Sequence, residues 1–200
     1  MNTQSIKMTS KRRCYVVMVV MCFFALNVVA QTYSQIYDDD FYKRLYPDIA
    51  NAYGRSNAYS HFITYGMNEG RSPSAIFDFS YYYNAYSDLR DAFGSNKQAY
   101  YQHFIQYGMN EGRRASELFD PQYYRNAYED LRRAFGNNNQ AYYQHFIQYG
   151  IYEGRRASEL FNPQYYRNAY KDLQNAFGNN WKLYYIHYLQ YGKSERRRTR

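Results

Sequence analysis

Cysteine is nearly absent from the 200-residue chain: there are two, Cys14 and Cys22, and both fall within the first thirty residues. Once those residues are set aside, the remainder has no thiol for a disulfide, a thiolate metal site or a nucleophile, so packing alone must hold its fold. Proline is scarce too, at four residues, and no Gly/Ser-rich or Pro-rich stretch divides the chain. Flexibly linked beads are thereby disfavoured. Past residue 30 there is no Asn-x-Ser/Thr acceptor, so N-glycosylation is not expected. The longest largely apolar stretch, Cys14 to Val29, has sixteen residues with Asn27 as its only clear interruption, fewer than the roughly 20 a spanning helix usually needs.

That run follows Lys7, Lys11, Arg12 and Arg13, with no acidic residue before it, and ends at Val28-Val29-Ala30. The pattern predicts a secretory signal peptide over residues 1–30, cleaved between Ala30 and Gln31; an uncleaved signal anchor is the competing reading. Either outcome places Gln31 onward outside the cytosol, and cleavage leaves no stable membrane span. The formal net charge of +8 falls to +4 without the leader, and Lys193 to Arg200 carry +4 by themselves. The body between is neutral. A basic excess confined to the ends is not a binding face, so nucleic acid is not an expected partner. Residues 196–200 are read as a solvated basic tail whose functional version would bind polyanionic polysaccharide or an acidic matrix component.

What the chain does have is repetition. Phe77, Phe119 and Phe161 lie 42 residues apart and open "FDFSYYYNAYSDLRDAFG", "FDPQYYRNAYEDLRRAFG" and "FNPQYYRNAYKDLQNAFG". An earlier copy, "YDDDFYKRLYPDIANAYG", starts at Tyr37 and is two residues shorter. The division expected is a segment 31–36 and repeats 37–76, 77–118, 119–160 and 161–195, then the tail. All 11 glycines occupy three positions of the unit, represented by Gly94, Gly108 and Gly112, and are read as residues just past helix ends. The four histidines, His61, His103, His145 and His187, share one position.

In the third copy Asp120 before Pro121 predicts an N-cap and a helix through about Tyr128. Asp130 is expected to cap or support a second helix ending at Gly136, and a third should run from about Gln140 to Tyr149. On that third helix Tyr142, His145, Phe146 and Tyr149 form one buried stripe. Helices this short are marginal alone. The fold class expected is therefore all-α: a tandem array of four units of about 42 residues, each of about three short helices, stabilised by packing within and between copies. Trp181, Leu183, Ile186 and Leu189 mark the fourth copy as an end cap.

The run "FDPQYYRNAYEDLRRAFG", then "HFIQYG" and "EGRRASELFD", resembles a short repeat of secreted and cell-surface bacterial proteins, of the form F-D-x-x-Y-Y, Y-P-D-L, A-F-G, H-F-x-x-Y-G and E-G-R. The match covers nearly all of residues 37–196. This resemblance implies company with cell-wall or carbohydrate-active modules and no particular activity. The sequence departs from it in two ways: the proline of Y-P-D survives only as Pro47, and the closing glycine is replaced by Arg196.

Chemistry is weighed against repetition. The histidine is the one group that titrates near neutrality, yet no second His or Cys stands at ligand spacing, so a half-buried, hydrogen-bonded residue is expected and neither metal nor cofactor. Metal bound between adjacent copies is the competing reading. Asp48, Asp88, Asp130 and Asp172, with Glu69, Glu111, Glu153 and Glu195, recur in every copy, whereas a glycosidase needs one asymmetric carboxylate pair. Local pairing with Arg71, Arg113 and Arg155 is expected instead. Asp38-Asp39-Asp40 lacks the spacing of a calcium loop and is read as a solvated start. Tyrosine is the outlier, at 29 residues, 28 of them beyond the leader. Because adjacent helical residues diverge by about 100°, each doublet is expected to send one ring outward, and Tyr82, Tyr101, Tyr124, Tyr143, Tyr166 and Tyr185 are the candidate binding rings. Exposed phenols stack on sugars and on one another. Together these features predict a secreted, non-catalytic structural protein of an extracellular organic matrix, in contact with copies of itself and other matrix components. A glycan- or cell-wall-binding module, with polysaccharide as partner, is the alternative.

Overall fold

Short helices recur three at a time in the computed structural model, which describes residues 33–53 and 57–200. The expected leader, the cleavage site and Gly54 lie outside the described residues. The helices are α1 (Asp39–Leu45), α2 (Pro47–Tyr53) and α3 (Ala58–His61); α4 (Phe79–Ala85), α5 (Ser87–Phe93) and α6 (Lys97–His103); α7 (Pro121–Ala127), α8 (Glu129–Phe135) and α9 (Asn139–His145); α10 (Pro163–Ala169), α11 (Lys171–Phe177) and α12 (Trp181–His187). Among the described residues there is no strand, only an antiparallel bridge between Ser74 and Phe77. No helix among them is long and apolar enough to cross a membrane.

Local chemistry fixes the helix starts. The side chains of Asp38, Asp78, Asp120 and Asn162 accept from the backbone N–H groups of Phe41, Tyr81, Tyr123 and Tyr165, and Pro121 and Pro163 open their helices, where a missing N–H costs nothing. Asp130 does not cap α8: Tyr128 holds that place in extended conformation with no side-chain cap, which leaves the Asp130 carboxylate for Arg155, 2.8 Å away.

Each third helix runs into one π turn, at Phe62–Gly66, Phe104–Gly108, Phe146–Gly150 and Tyr188–Gly192. There the backbone bonds skip an extra residue, as when Ile151 N–H donates to Phe146 O at 2.9 Å. The cause is a close approach. A Cβ on Gly108 would lie 2.5 Å from Tyr82 Oη, and one on Gly66 2.5 Å from Tyr42 Oη; Gly150 and Gly192 face Tyr124 and Tyr166 in the same way. This class of glycine is therefore inside the helix, with φ near −56° at Gly108, and not past its end as its sequence position suggested. Among the described residues positive φ is confined to the other two classes and to Arg196, whose φ of 55° reproduces the turn of Gly70, Gly112 and Gly154.

Neighbouring stretches interlock through aromatic rings. Tyr101 packs edge-on to Phe62 at 5.8 Å and against Phe77 at 4.6 Å; Tyr143 meets Phe104 and Phe119 at 5.5 and 5.0 Å; Tyr185 meets Phe146 and Phe161 at 5.7 and 4.8 Å. Such pairs add about 0.5–1.5 kcal/mol each beyond their burial.

The array does not end in a cap. It closes on itself, α12 packing on α1. Lys182 Nζ lies 2.9 and 2.7 Å from the two carboxylate oxygens of Asp38, and only 1% of Lys182 is exposed. Gln190 donates to Arg44 O at 2.7 Å, while Gln35 holds Gln140 and Gln144 at 2.8 Å each. Ile186 is buried, and Leu183 and Leu189 are half-buried against the core, so these departures of the fourth copy serve closure and not a solvent-facing end. The Asp triplet is no solvated start either: Asp38 is buried, and Asp39 and Asp40 pair with Lys43 and Arg44 at 2.5 and 2.6 Å. The expected basic tail is the close of the fourth copy, since Arg197 pairs with Asp172 and Glu195 and Asn162 N–H donates to Thr199 O at 3.0 Å.

Candidate functional site

The six tyrosines expected to face outward are all buried, each with no exposed surface. Tyr82, Tyr124 and Tyr166 hydrogen-bond through Oη to Nδ1 of His103, His145 and His187 at 3.0, 3.0 and 3.1 Å, as Tyr42 does to His61 at 3.1 Å. Tyr101, Tyr143 and Tyr185 donate to the carbonyls of Arg71, Arg113 and Arg155 in the preceding stretch, at 2.9, 2.9 and 2.7 Å. The doublet argument failed because the third helix is covered on two sides. In α6, Tyr100 turns inward to Gly94 O, 2.9 Å away, while Tyr101 turns to the neighbouring stretch, and both are fully buried.

The exposed phenols are others. Tyr65, Tyr107, Tyr149 and Tyr191, at one position in every copy, are 52%, 56%, 57% and 53% exposed, and Tyr152 and Tyr53, outside that position, are 53% and 39% exposed. Tyr149 was expected on the buried stripe. The extra residue in the π turn breaks the 3.6-residue phase beyond His145, leaving Phe146 buried and Tyr149 outside. Glycine inside "QYG" was the available signal, because nothing else explains a residue of low helix propensity there.

Each of these four rings ends a short row of tilted aromatic contacts. His103 lies between Phe93, 5.9 Å away, and Tyr107, 5.6 Å away; His145 lies between Phe135 and Tyr149 at 5.8 and 5.7 Å; His187 lies between Phe177 and Tyr191 at 5.9 and 5.5 Å. In the first copy Tyr53 takes the phenylalanine's place, 4.8 Å from His61, with Tyr65 at 5.7 Å. Burial lowers the pKa of all four histidines and raises that of Tyr42, Tyr82, Tyr124 and Tyr166, because desolvation penalises the charged form of either group. The pair is therefore neutral at pH 7, with Nδ1 committed to the phenol.

Beside each stack sits an ion-pair cluster. Arg113 reaches Asp88 at 2.8 Å and Glu111 at 2.5 Å while lying 4.8 Å above the Tyr86 ring; Arg71, Arg155 and Arg197 do the same for Tyr46, Tyr128 and Tyr170. The hydrogen bond from arginine holds Asp48, Asp88 and Asp130 below the usual carboxylate range. These carboxylates are thus the partners of arginine. Among the described residues no group of three or more His, Cys, Asp or Glu side chains stands ready to hold a metal ion.

No protein-family model matches the chain, and no curated protein or solved structure matches it either.

Proposed function

We propose that the protein is a secreted, non-catalytic component of an extracellular organic matrix, such as a shell, cuticle, capsule or adhesive, and that it associates with copies of itself through Tyr65, Tyr107, Tyr149 and Tyr191. One observation carries the reading: at the same place in every copy a phenol ring more than half exposed is backed by a histidine. A ring held from behind loses little entropy on contact, and an aromatic with a polar tip makes broad, adaptable contacts. Four such rings per chain give multivalency, so weak single contacts accumulate. Phenols are also substrates for oxidative coupling, and the buried tyrosines are shielded from it. The closed array supports the reading as a rigid particle displaying repeated contacts.

The experiment is to locate the native protein and examine its tyrosines. Enrichment in an insoluble extracellular layer with dityrosine fluorescence is expected. A freely soluble monomer without crosslinks in the surrounding fluid would overturn the proposal. Glycan recognition is the second reading, favoured by the position of each exposed ring beside an arginine–carboxylate cluster; failure of every polysaccharide in a pull-down would remove it.

A further inference from the structure

Closure of the array creates one site that the repeats do not share. A cavity of about 200 Å³ lies where the first, second and fourth copies meet, walled by the 72–77 connection, by α4 and by Leu189 and Lys193 of the fourth copy. One departure in sequence distinguishes it from the equivalent places. At the corresponding place in the third copy Arg114 Nη1 lies 3.4 Å from Asp120, and in the first Lys182 holds Asp38. Ser72 stands where that arginine would be in front of Asp78, with its hydroxyl donating to Asp78 Oδ2 at 2.9 Å. Among the described residues Asp78 has no cationic partner; its other oxygen caps the N–H of Tyr81 at 2.7 Å.

The walls are those of a binding site. Ser74 is 2% exposed, and its Oγ has no hydrogen-bond partner, an arrangement that native interiors rarely leave without a water or a ligand. Ser80, Ser116 and Asn84 add neutral polar groups, and Phe77, Tyr81 and Leu189 add apolar surface. Lys193 Nζ lies 2.5 Å from Glu117 Oε1, close enough to ion-pair although out of hydrogen-bond alignment. With that pair neutralised, the Asp78 carboxylate leaves the cavity with one net negative charge.

We propose that this cavity binds one sugar ring carrying a protonated amine, with the ammonium on Asp78, hydroxyls on the serine and asparagine groups and a ring face against the apolar wall. The volume is below the roughly 300 Å³ at which drug-sized sites begin, so it suits a single ring. Many neutral donors and acceptors beside apolar surface suit a polyol that presents both. The charge selects an amino sugar over a uronic acid. This inference does not rest on the matrix reading, because it concerns one asymmetric site per chain, whereas Tyr65, Tyr107, Tyr149 and Tyr191 recur at one position in every copy.

The test is a titration of the full chain by heteronuclear NMR with glucosamine, glucose and glucuronate at pH 7. Glucosamine is expected to saturate at one site per chain, shifting the Ser74 and Tyr81 amides, with glucose weaker and glucuronate weakest. Asp78→Asn keeps the helix cap, as Asn162 shows, and should weaken glucosamine by roughly tenfold or more, the scale of one charge-assisted hydrogen bond. Ser72→Arg copies the third copy and should abolish binding. Absence of saturable shifts with all three sugars, equal or tighter binding of glucuronate, or affinity unchanged in Asp78→Asn would overturn the proposal.

Discussion

Tyr124 Oη lies 3.0 Å from His145 Nδ1 and presses on the one face of its own unit that has no side chain, at Gly150. Phenol, imidazole and glycine form one device: the glycine admits the hydroxyl, the hydroxyl occupies the histidine, and the wide turn so produced sends the next tyrosine to the surface. That device and the closure of the array set how the fold responds to substitution.

Gly108→Ala reverses the usual sign. In an ordinary helix the change gains about 0.5–1 kcal/mol. Here the new methyl would meet Tyr82 Oη at 2.5 Å, and overpacking of this kind costs about 1–3 kcal/mol. Urea unfolding should show a lower midpoint at unchanged slope; a higher midpoint would mean that the tyrosine is not lodged there.

Lys182→Ala should cost about 3–5 kcal/mol, the penalty for leaving a buried charge without its partner, since Asp38 is buried beside it. Lys182→Met together with Asp38→Asn should recover most of that loss. An open array would tolerate the single change and lose its copies stepwise on heating, whereas the closed one unfolds in one transition that calorimetry can resolve.

Arg196→Gly is expected to stabilise the protein by about 1 kcal/mol, because an L side chain pays roughly that for the left-handed conformation and Arg196 alone among the non-glycine described residues adopts it, at φ 55°. Thermal melting of the single variant checks it.

Acid should weaken the fold in two stages. The histidine pKa values lie below the unfolded value of about 6.5 because of burial. The unfolded chain therefore binds protons first, and stability, intact above that pH, falls as pH drops from there toward the lowered folded values. Loss of the Asp88 and Asp130 pairings follows below the usual carboxylate pKa of 3.8. In alkali the order reverses: burial raises Tyr82 and Tyr124 above 10, so stability declines as pH climbs past that value. Melting temperatures from about pH 3 to about pH 11 would trace both limbs.

Legibility in the sequence divides along physical lines. Local rules read well: Asp120 caps α7 and Pro121 opens it, and the repeated carboxylates pair with their arginines. Periodicity also gave the helical class, because apolar spacing survives in α9 up to His145. What failed was everything that depends on a second surface. Tyr101 and Tyr143 looked outward because a single helix has one inner face, and the neighbouring copy supplies another. Tyr149 looked inward because a 3.6-residue period was carried through a turn that does not keep it. Leu183 and Ile186 suggested an end, and only the meeting of the last copy with the first shows that they cover one another.

The most direct test of the account is to oxidise the purified protein with peroxidase and hydrogen peroxide and map the tyrosine crosslinks by peptide mass spectrometry. Intermolecular dityrosine at Tyr65, Tyr107, Tyr149 and Tyr191, with multimers lost when these four are changed to phenylalanine, is the predicted result. Crosslinks centred on Tyr82, Tyr101, Tyr124, Tyr143, Tyr166 or Tyr185 in folded protein, or multimers that persist in the fourfold variant, would contradict it.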